Sequence, residues 1–160
     1  MNKEVLNIAA TSDSETGRRL GNLEEAHFEL DGERFASIEG FWQGIKYPEG
    51  SNERRRIFTL FGMEAKFAGD PVKHLEELTY GGQVIKIGSP EHHELMKRAL
   101  CAKLEQNPKL KDMLIASEEA TIIHEPTKPD GALYPDSKTI PAAVYSSIMM
   151  ELRSELRKAL

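Results

Sequence analysis

The chain has 160 residues, enough for one ordinary domain whose hydrophobic core needs no disulfide or structural metal. Its 39% hydrophobic and 29% charged residues are typical of a folded protein in water, and no apolar run reaches the roughly 20 residues that span a bilayer. The formal net charge of −5 argues against nonspecific binding along nucleic acid, which requires Lys and Arg to displace counterions from phosphates. A small, locally basic pocket for a phosphorylated ligand is compatible with this charge.

The compartment is predicted from two features. The N-terminal stretch MNKEVLNIAATSDSE lacks both the basic start and the apolar segment of a secretory signal. The lone Cys101 cannot form a disulfide within the chain. Both features predict a protein of the reducing cytoplasm. Neither a repeat nor a low-complexity tract divides the sequence, so we expect a single domain over residues 1–160.

The first half of the chain predicts short strands followed by helices. Strands are expected at 5–10 and 27–35, the second with a hairpin turn at Asp31-Gly32. Ser37 is a candidate N-cap for a helix to about Tyr47, before Pro48. The stretch SNERRRIFTLFGMEAKF predicts one further helix with Ile57, Leu60 and Phe61 on its core face, and Pro71 opens a short third one.

The second half predicts longer helices. QVIKIG is expected to be extended, and Ser89-Pro90 begins a helix that ends near Pro108. LKDMLIAS predicts another helix, ATIIHE a buried strand, and the C-terminal residues a helix from about Pro141. The segment 126–141 has four prolines and a glycine, which favour an irregular loop. Such a loop is either a lid that closes over a ligand or a stiff connector.

The helix predicted at 37–47 has two different sides. At about 100° per residue, an apolar side is formed by Ile38, Phe41, Trp42 and Ile45. Glu39, Gln43 and Lys46 align on another side. Gly40 and Gly44 leave the backbone bare between the two, so that another group can approach closely. The polar side is either a functional site or a solvated surface on which Glu39 favours the helix N-terminus.

Three other charged clusters suggest chemistry less specifically. Arg18-Arg19 can meet a ligand phosphate, because guanidinium groups bind phosphate with two hydrogen bonds, although solvent exposure is favoured for at least one of the two. The run Arg54–Arg56 favours surface ion pairs over a contribution to the potential of a pocket. His92-His93 lacks the spaced His, Cys or Asp partners of a zinc site, so the sequence predicts no metal there.

Several stretches resemble the NADAR family, named for NAD and ADP-ribose and also called YbiA-like. The resemblance begins at Gly21-Asn22, runs through FELDGERFASIEGFWQGIK, and resumes at MKRALCAKLEQNPKLKDMLIAS, IIHEPTKPD and MMELRSEL. It implies a single α-rich α+β domain of packed helices with a few short strands. It also implies an N-glycosidase without a cofactor, which cleaves a ribosyl C–N bond in ADP-ribosylated guanine or in a riboflavin-pathway ribosylamino-pyrimidine.

The resemblance also implies a set of site residues. By position, the resemblance implies Glu39, Lys46 and Asp130 as catalytic residues and Asn22, Gln43 and Glu125 as substrate-binding residues. Arg18, Arg19 and Tyr134 are further candidates for substrate binding, which are chosen for their own residue types and are not family positions. The chain departs from the family pattern, because Asp130 is followed by Gly-Ala-Leu-Tyr instead of Trp-Gly and a later Asn-Leu-Gly is missing. Tyr134 is therefore expected to replace the missing tryptophan. The partner is expected to be a phosphorylated ribosyl or ADP-ribosyl compound, or an ADP-ribosylated nucleic acid.

The chemistry of ribosyl C–N cleavage suits these residue types. A carboxylate such as Glu39 stabilises the positive charge that develops at the anomeric carbon and orients water. Lys46 either holds a phosphate or attacks the anomeric carbon to form a Schiff base. Asp130 or Glu125 is expected to bind ribose hydroxyls or to assist proton transfer. The alternative is a non-catalytic module that only binds a nucleotide or ADP-ribose, or a structural protein.

Overall fold

The computed structural model describes residues 4–160, which form short strands and seven α-helices. In chain order the elements are β1 (Val5–Asn7), α1 (Glu15–Leu20), β2 (Phe28–Leu30), β3 (Glu33–Phe35), α2 (Ile38–Gly44), α3 (Asn52–Ile57), α4 (Gly62–Ala68), a 3₁₀ helix (Asp70–Val72), β4 (Glu77–Tyr80), β5 (Gln83–Lys86), α5 (Pro90–Gln106), α6 (Pro108–Ala116), β6 (Thr121–Ile123) and α7 (Ala142–Lys158). This mixture of helices and short strands confirms the predicted α-rich α+β class.

The chain groups into two compact units. The central unit is Asn22–Asn107, and the terminal unit combines residues 4–21 with Pro108–Leu160. Each unit therefore has its own internal contacts, which are described separately below. The prediction of one NADAR/YbiA-like domain over the whole chain stays a prediction.

Two antiparallel hairpins belong to the central unit. In the first, β2 pairs with β3 through a turn at Asp31 and Gly32, whose φ angles are 51° and 82°. In the second, β4 pairs with β5 through Gly81 and Gly82, both also at positive φ. Positive φ at both central residues matches the right-handed twist of the flanking strands. The Asp31-Gly32 hairpin confirms the prediction, whereas β4 was not predicted.

The core of the central unit is built around aromatic side chains. Phe35 lies 5.2 Å from Phe28, 5.0 Å from Phe41 and 4.6 Å from Phe58, measured between ring centroids. Rings at such separations pack more favourably than their buried area alone predicts. The same unit buries one stripe of α5 that contains Leu95, Met96, Ala99 and Leu100. The stripe is the one expected from the sequence.

The terminal unit joins the two ends of the chain through a parallel strand pair. Strand β1 pairs with β6 in the register Val5↔Thr121 to Asn7↔Ile123. Helix α7 packs against β6 and α6, and buries Tyr145, Met149 and Leu152 among other side chains. The predicted strand near 5–10 is therefore shorter than expected, while the C-terminal helix follows the prediction.

The predicted continuous helix over residues 51–67 is wrong. The chain forms α3, an irregular segment and then α4, because tertiary hydrogen bonds occupy the backbone between the two helices. Phe58 O accepts from Ala36 N, Leu60 O accepts from Ser37 Oγ, and Gly62 N donates to Leu23 O. As a result Phe61 is 46% exposed instead of packing in the core.

Arg54 also differs from its prediction as a surface residue. It is buried, and its Nη1 lies 3.1, 2.9 and 2.8 Å from the carbonyl oxygens of Ile45, Tyr47 and Thr79, to which it donates. Arg54 thus ties α3 to the end of α2 and to β4. Within residues 4–160, no helix is both long and apolar enough to cross a bilayer.

Candidate active site

The N-terminus of α2 is fixed by Ser37 and by the backbone of Asn22. Ser37 Oγ accepts a hydrogen bond from Gly40 N at 2.9 Å and donates one to Leu60 O at 2.8 Å. Glu39 N donates to Asn22 O at 3.0 Å. These bonds satisfy amide groups that would otherwise lack partners at the helix start, and they set the direction in which α2 presents Glu39.

Helix α2 uses its glycines to approach α3. A side chain at Gly40 would lie 2.6 Å from Leu60 O and 2.8 Å from Ile57 O, and one at Gly44 would lie 2.6 Å from the Phe58 ring. The bare backbone predicted between the two sides of the helix is therefore real. The group that approaches these glycines is the segment over residues 57–60, which follows α2 in the chain. The polar side of α2 therefore does not face this segment.

On its polar side, α2 carries a chain of hydrogen bonds that we call the Glu39–Gln43–Lys46 relay. Lys46 Nζ donates to Gln43 Oε1 at 3.0 Å, and Gln43 Nε2 donates to Glu39 Oε1 at 2.8 Å. All three side chains are half-buried. The relay confirms that these residues share a face of the helix. It joins the carboxylate to the ammonium group through an amide.

The carboxyl group of Glu39 has a raised pKa. Desolvation by the surrounding protein raises the pKa of its carboxyl, against the lowering effects of the Gln43 hydrogen bond and then of the positive charges of Lys46 and Lys66. A raised pKa brings a carboxyl group closer to the pH at which it can both accept and donate a proton efficiently. Glu39 therefore has the environment expected of an acid or base catalyst.

The pKa of Lys46 is lowered, which favours its uncharged form. Desolvation lowers the pKa of its ammonium group, and the nearby Glu39 carboxylate opposes this shift. Lys46 Nζ also lies over the ring of Trp42, 5.5 Å from the ring centroid. A lysine with a lowered pKa has a larger fraction of the neutral amine, which is the nucleophilic form.

Trp42 is a buried residue that lies under Lys46 Nζ and stacks on His92. Its side chain is 6% exposed, as predicted for a core residue beside Ile38 and Phe41. The Trp42 and His92 rings are stacked, with centroids 4.0 Å apart and planes at 8°. Burial and the charge of Lys46 lower the pKa of His92 to about 3, so the ring is neutral. His92 was not predicted as part of a site.

Gly69, at the end of α4, lies directly against the amide of Gln43. A methyl group at this position would overlap Gln43 Oε1 and Cδ and lie 2.9 Å from Nε2. Gly69 has φ −79° and ψ −13°, a backbone conformation open to any residue. The glycine is therefore required by the space that Gln43 occupies, and its own backbone conformation does not require it.

The remaining predicted residues lie in the terminal unit, apart from Asn22. Arg18 is exposed and donates from Nη1 to Ser12 O at 2.7 Å, and Arg19 is half-buried. Glu125 has an exposed side chain, while its backbone N–H and C=O bond to the side chain of Asn7. The predicted roles of these three residues stay predictions.

Asp130 and Tyr134 belong to a turn within the predicted loop. Asp130 Oδ1 accepts from Ala132 N at 2.9 Å, and Tyr134 N donates to Pro126 O at 3.1 Å. Lys128 Nζ lies over the Tyr134 ring, 5.8 Å from its centroid. Both side chains are exposed, and the predictions that Asp130 is catalytic and Tyr134 binds the base remain predictions.

The structure adds three residues to those predicted around the relay, namely Lys66, Gly69 and His92. None could be found from periodicity, because Lys66 and Gly69 meet α2 only through the packing of α4, and His92 through the packing of α5. The neighbouring Gly69-Asp70-Pro71 stretch signals a helix end, but it does not show which side chain that end contacts.

Comparison with known proteins identifies a family for the chain. Residues 15–139 match the family described as Bacteriophage protein GP30.3. An uncharacterized 17.1 kDa protein from the Gp30-rIII intergenic region of Enterobacteria phage T4 is 29% identical over 140 residues, which cover 86% of this chain and 90% of the phage protein. Since the match spans most of the sequence, the chain belongs to the GP30.3 family.

Comparison with solved structures identifies the fold. The NMR structure of the Escherichia coli protein YbiA superposes with a TM-score of 0.66 at 20% sequence identity, over 99% of this chain and 88% of YbiA. The chain therefore has a YbiA-like fold, as the resemblance in sequence implied.

Proposed function

We propose that this GP30.3-family protein is an N-glycosidase of the NADAR type, which hydrolyses the bond between a ribose anomeric carbon and a base nitrogen. The observation that carries the proposal is the Glu39–Gln43–Lys46 relay, whose two end groups have pKa values displaced towards neutrality. The substrate is an ADP-ribosylated guanine or a ribosylamino-pyrimidine of the riboflavin pathway. Proton transfer and nucleophilic attack are expected at sites whose titratable groups have displaced pKa values, as Glu39 and Lys46 do.

Glu39 has two uses in this reaction. As a carboxylate, it stabilises the positive charge that builds on the sugar as the C–N bond lengthens. As a base, it takes a proton from the water whose oxygen joins the anomeric carbon, while the departing nitrogen receives a proton. The raised pKa of Glu39 supports the second use, because a stronger base removes that proton more readily.

Lys46 has two alternative roles. Its lowered pKa favours the neutral amine, which would attack the anomeric carbon while the C–N bond breaks and the base leaves with a proton. Opening of the ribose ring would then give a Schiff base, which water hydrolyses to release the sugar and restore the amine. Its protonated form would instead hold a phosphate group of the substrate. Gln43 serves either role, since its carbonyl oxygen accepts from Lys46 and fixes the direction of Nζ.

A local positive charge supports an anionic substrate. Both Lys46 and Lys66 act electrostatically on Glu39, although the chain as a whole has a net charge of −5. A phosphorylated ribosyl or ADP-ribosyl compound is the expected partner, free or attached to nucleic acid. The cytoplasmic location remains a prediction from the sequence. The same holds for the predicted roles of Asp130, Glu125, Tyr134, Arg18 and Arg19.

The test compares two glutamates in matched positions. Glu39 and Glu53 both lie in the first turn of a helix that a serine caps. Glu39→Gln and Glu53→Gln are incubated with ADP-ribosylated guanosine, ribosylamino-pyrimidines and NAD, and the released bases are separated by chromatography. We expect wild type and Glu53→Gln to release the same base, and Glu39→Gln to fold but release none.

Two results would decide against the proposal. Full activity of Glu39→Gln would remove this carboxylate from the mechanism. Binding of ADP-ribose by calorimetry, without release of any base by the wild type, would favour the alternative of a nucleotide-binding module.

A further inference from the structure

The backbone at Gly69 lies against Gln43, the middle residue of the relay. Gly69 is the C-cap residue that directly follows α4, and the three atoms nearest to a side chain placed there all belong to the Gln43 amide. Gln43 is also the residue that bonds both Glu39 and Lys46. The position of one amide group therefore controls how both end groups are oriented.

The backbone at Gly69 is fixed by several hydrogen bonds. Gly69 N donates to Lys66 O at 3.1 Å, and Val72 N donates to Gly69 O at 3.1 Å. Tyr47, just beyond the end of α2, donates from its hydroxyl to Ala68 O at 2.7 Å. Since these bonds hold the backbone from both sides, a group added at Gly69 would displace the flexible end of Gln43 before it displaced α4.

We infer that Gly69 is a positioning residue for the Glu39–Gln43–Lys46 relay: the absence of a side chain there leaves the space in which the Gln43 amide bridges the carboxylate and the amine. The kinetic consequence rests on the proposed N-glycosidase function, whereas the structural consequence does not. Glycine at this position is needed for neither φ nor helix termination, because φ −79° suits alanine equally well.

The consequence of filling this space has a defined direction. Displacing the amide removes the hydrogen bond that lowers the pKa of Glu39, so this pKa should rise further. It also removes the acceptor that favours the charged form of Lys46, so the pKa of Lys46 should fall further. Both groups would move away from their ordinary values without a change in their own side chains.

A double-mutant cycle tests whether Gly69 acts through Gln43. The four proteins are wild type, Gly69→Ala, Gln43→Ala and the combined variant. The carboxyl of Glu39 and the Cε of Lys46 are titrated by ¹³C NMR in each. We expect each single variant to raise the pKa of Glu39. The pKa of Glu39 in the combined variant should equal that in Gln43→Ala.

Turnover is measured on the same four proteins. Gly69→Ala should lower kcat roughly 10- to 100-fold, the order of loss that follows from misplaced catalytic groups. It should cause no further loss once Gln43 has been shortened. If the proposed activity is absent altogether, the NMR titrations still decide the positioning role, so the two proposals fail independently.

Several outcomes would overturn the inference. An unchanged pKa of Glu39 in Gly69→Ala, or effects of the two substitutions that simply add, would show that Gly69 does not act through Gln43. If Gly69→Ala fails to fold alone, recovery of folding in the combined variant supports the contact with Gln43. If neither Gly69→Ala nor the combined variant folds, the added methyl group clashes with atoms other than the Gln43 side chain, which contradicts the inference.

Discussion

Trp42 and His92 stack face to face, with ring centroids 4.0 Å apart and planes at 8°, and thereby join α2 to α5. His92 Nδ1 accepts from Gly88 N at 2.9 Å, so the neutral ring carries its proton on Nε2. Within residues 4–160, this buried Nε2 has no hydrogen-bond partner. A buried donor without a partner costs about 1–3 kcal/mol, which the stacking and packing of the two rings must offset.

The first prediction concerns the dependence of stability on pH. In the folded protein burial disfavours the charged ring and lowers the pKa of His92 to about 3, from an ordinary value of 6.5. Between these two values the unfolded chain binds a proton that the folded protein does not, so this histidine lowers stability as pH falls. Each pH unit below 6.5 lowers the free energy of unfolding by about 1.4 kcal/mol, so the loss amounts to a few kcal/mol near pH 4.

His92→Phe should remove that loss, because phenylalanine keeps the stacking surface and does not titrate. Urea unfolding of wild type and variant from pH 7 to pH 4 measures the effect, and the stability of His92→Phe relative to wild type should increase as the pH falls. His74→Gln, on an exposed histidine, is the control and should follow the wild-type curve. Parallel curves for wild type and His92→Phe would show that the ring is not held neutral.

The second prediction concerns Trp42 as a core residue. Trp42→Ala removes a side chain that is 6% exposed, so the free energy of unfolding should fall by roughly 3–5 kcal/mol. Trp42→Phe, which retains an aromatic ring, should lose less. Chemical denaturation of the three proteins measures both effects. If Trp42→Ala unfolded like the wild type but lost affinity for ADP-ribose, the ring would be a ligand platform and not a core residue.

The third prediction concerns Lys66, whose positive charge lowers the pKa of Glu39. Lys66→Met should therefore raise this pKa further, and the acidic limb of the activity profile should move to higher pH. Lys66→Arg retains the charge and is the matched control. The check is kcat/KM measured against pH for the three proteins. A limb that does not move in Lys66→Met would mean that Lys66 does not act on the group that titrates there.

The sequence was informative where the decisive contacts are local. Glu39, Gln43 and Lys46 are on one helix, so their spacing alone predicted that they share a face, and Ser37 and Ser89 identified two helix starts. The same local signals failed at Phe61, because tertiary hydrogen bonds of the preceding backbone overrode the helical periodicity.

Contacts between elements distant in sequence could not be predicted. The stacking of His92 on Trp42 depends on how α5 packs against α2, and the packing of Gly69 on Gln43 depends on where α4 ends. Neither residue type signals its role, since buried histidines and helix-terminating glycines are common for purely structural reasons.

The last prediction concerns the loop over residues 126–141, which is either a lid or a stiff connector. Its first part is a turn in which Lys128 N donates to Ala132 O, Gly131 N donates to Lys128 O, and Thr127 bridges Leu133. Its second part is joined to the start of α7, where Asp136 Oδ1 accepts from Ala142 N at 2.8 Å. Amides with such partners should exchange more slowly than exposed amides without them.

Hydrogen exchange with and without ADP-ribose separates the two alternatives. A lid gains protection between Gly131 and Thr139 when the ligand is present, because closure excludes water from the reacting sugar. A stiff connector shows the same exchange in both states, with slow exchange already in the free protein at Lys128, Gly131 and Ala142. We expect the gain in protection. Equal rates in the two states, at a ligand concentration that saturates binding by calorimetry, would establish the connector instead.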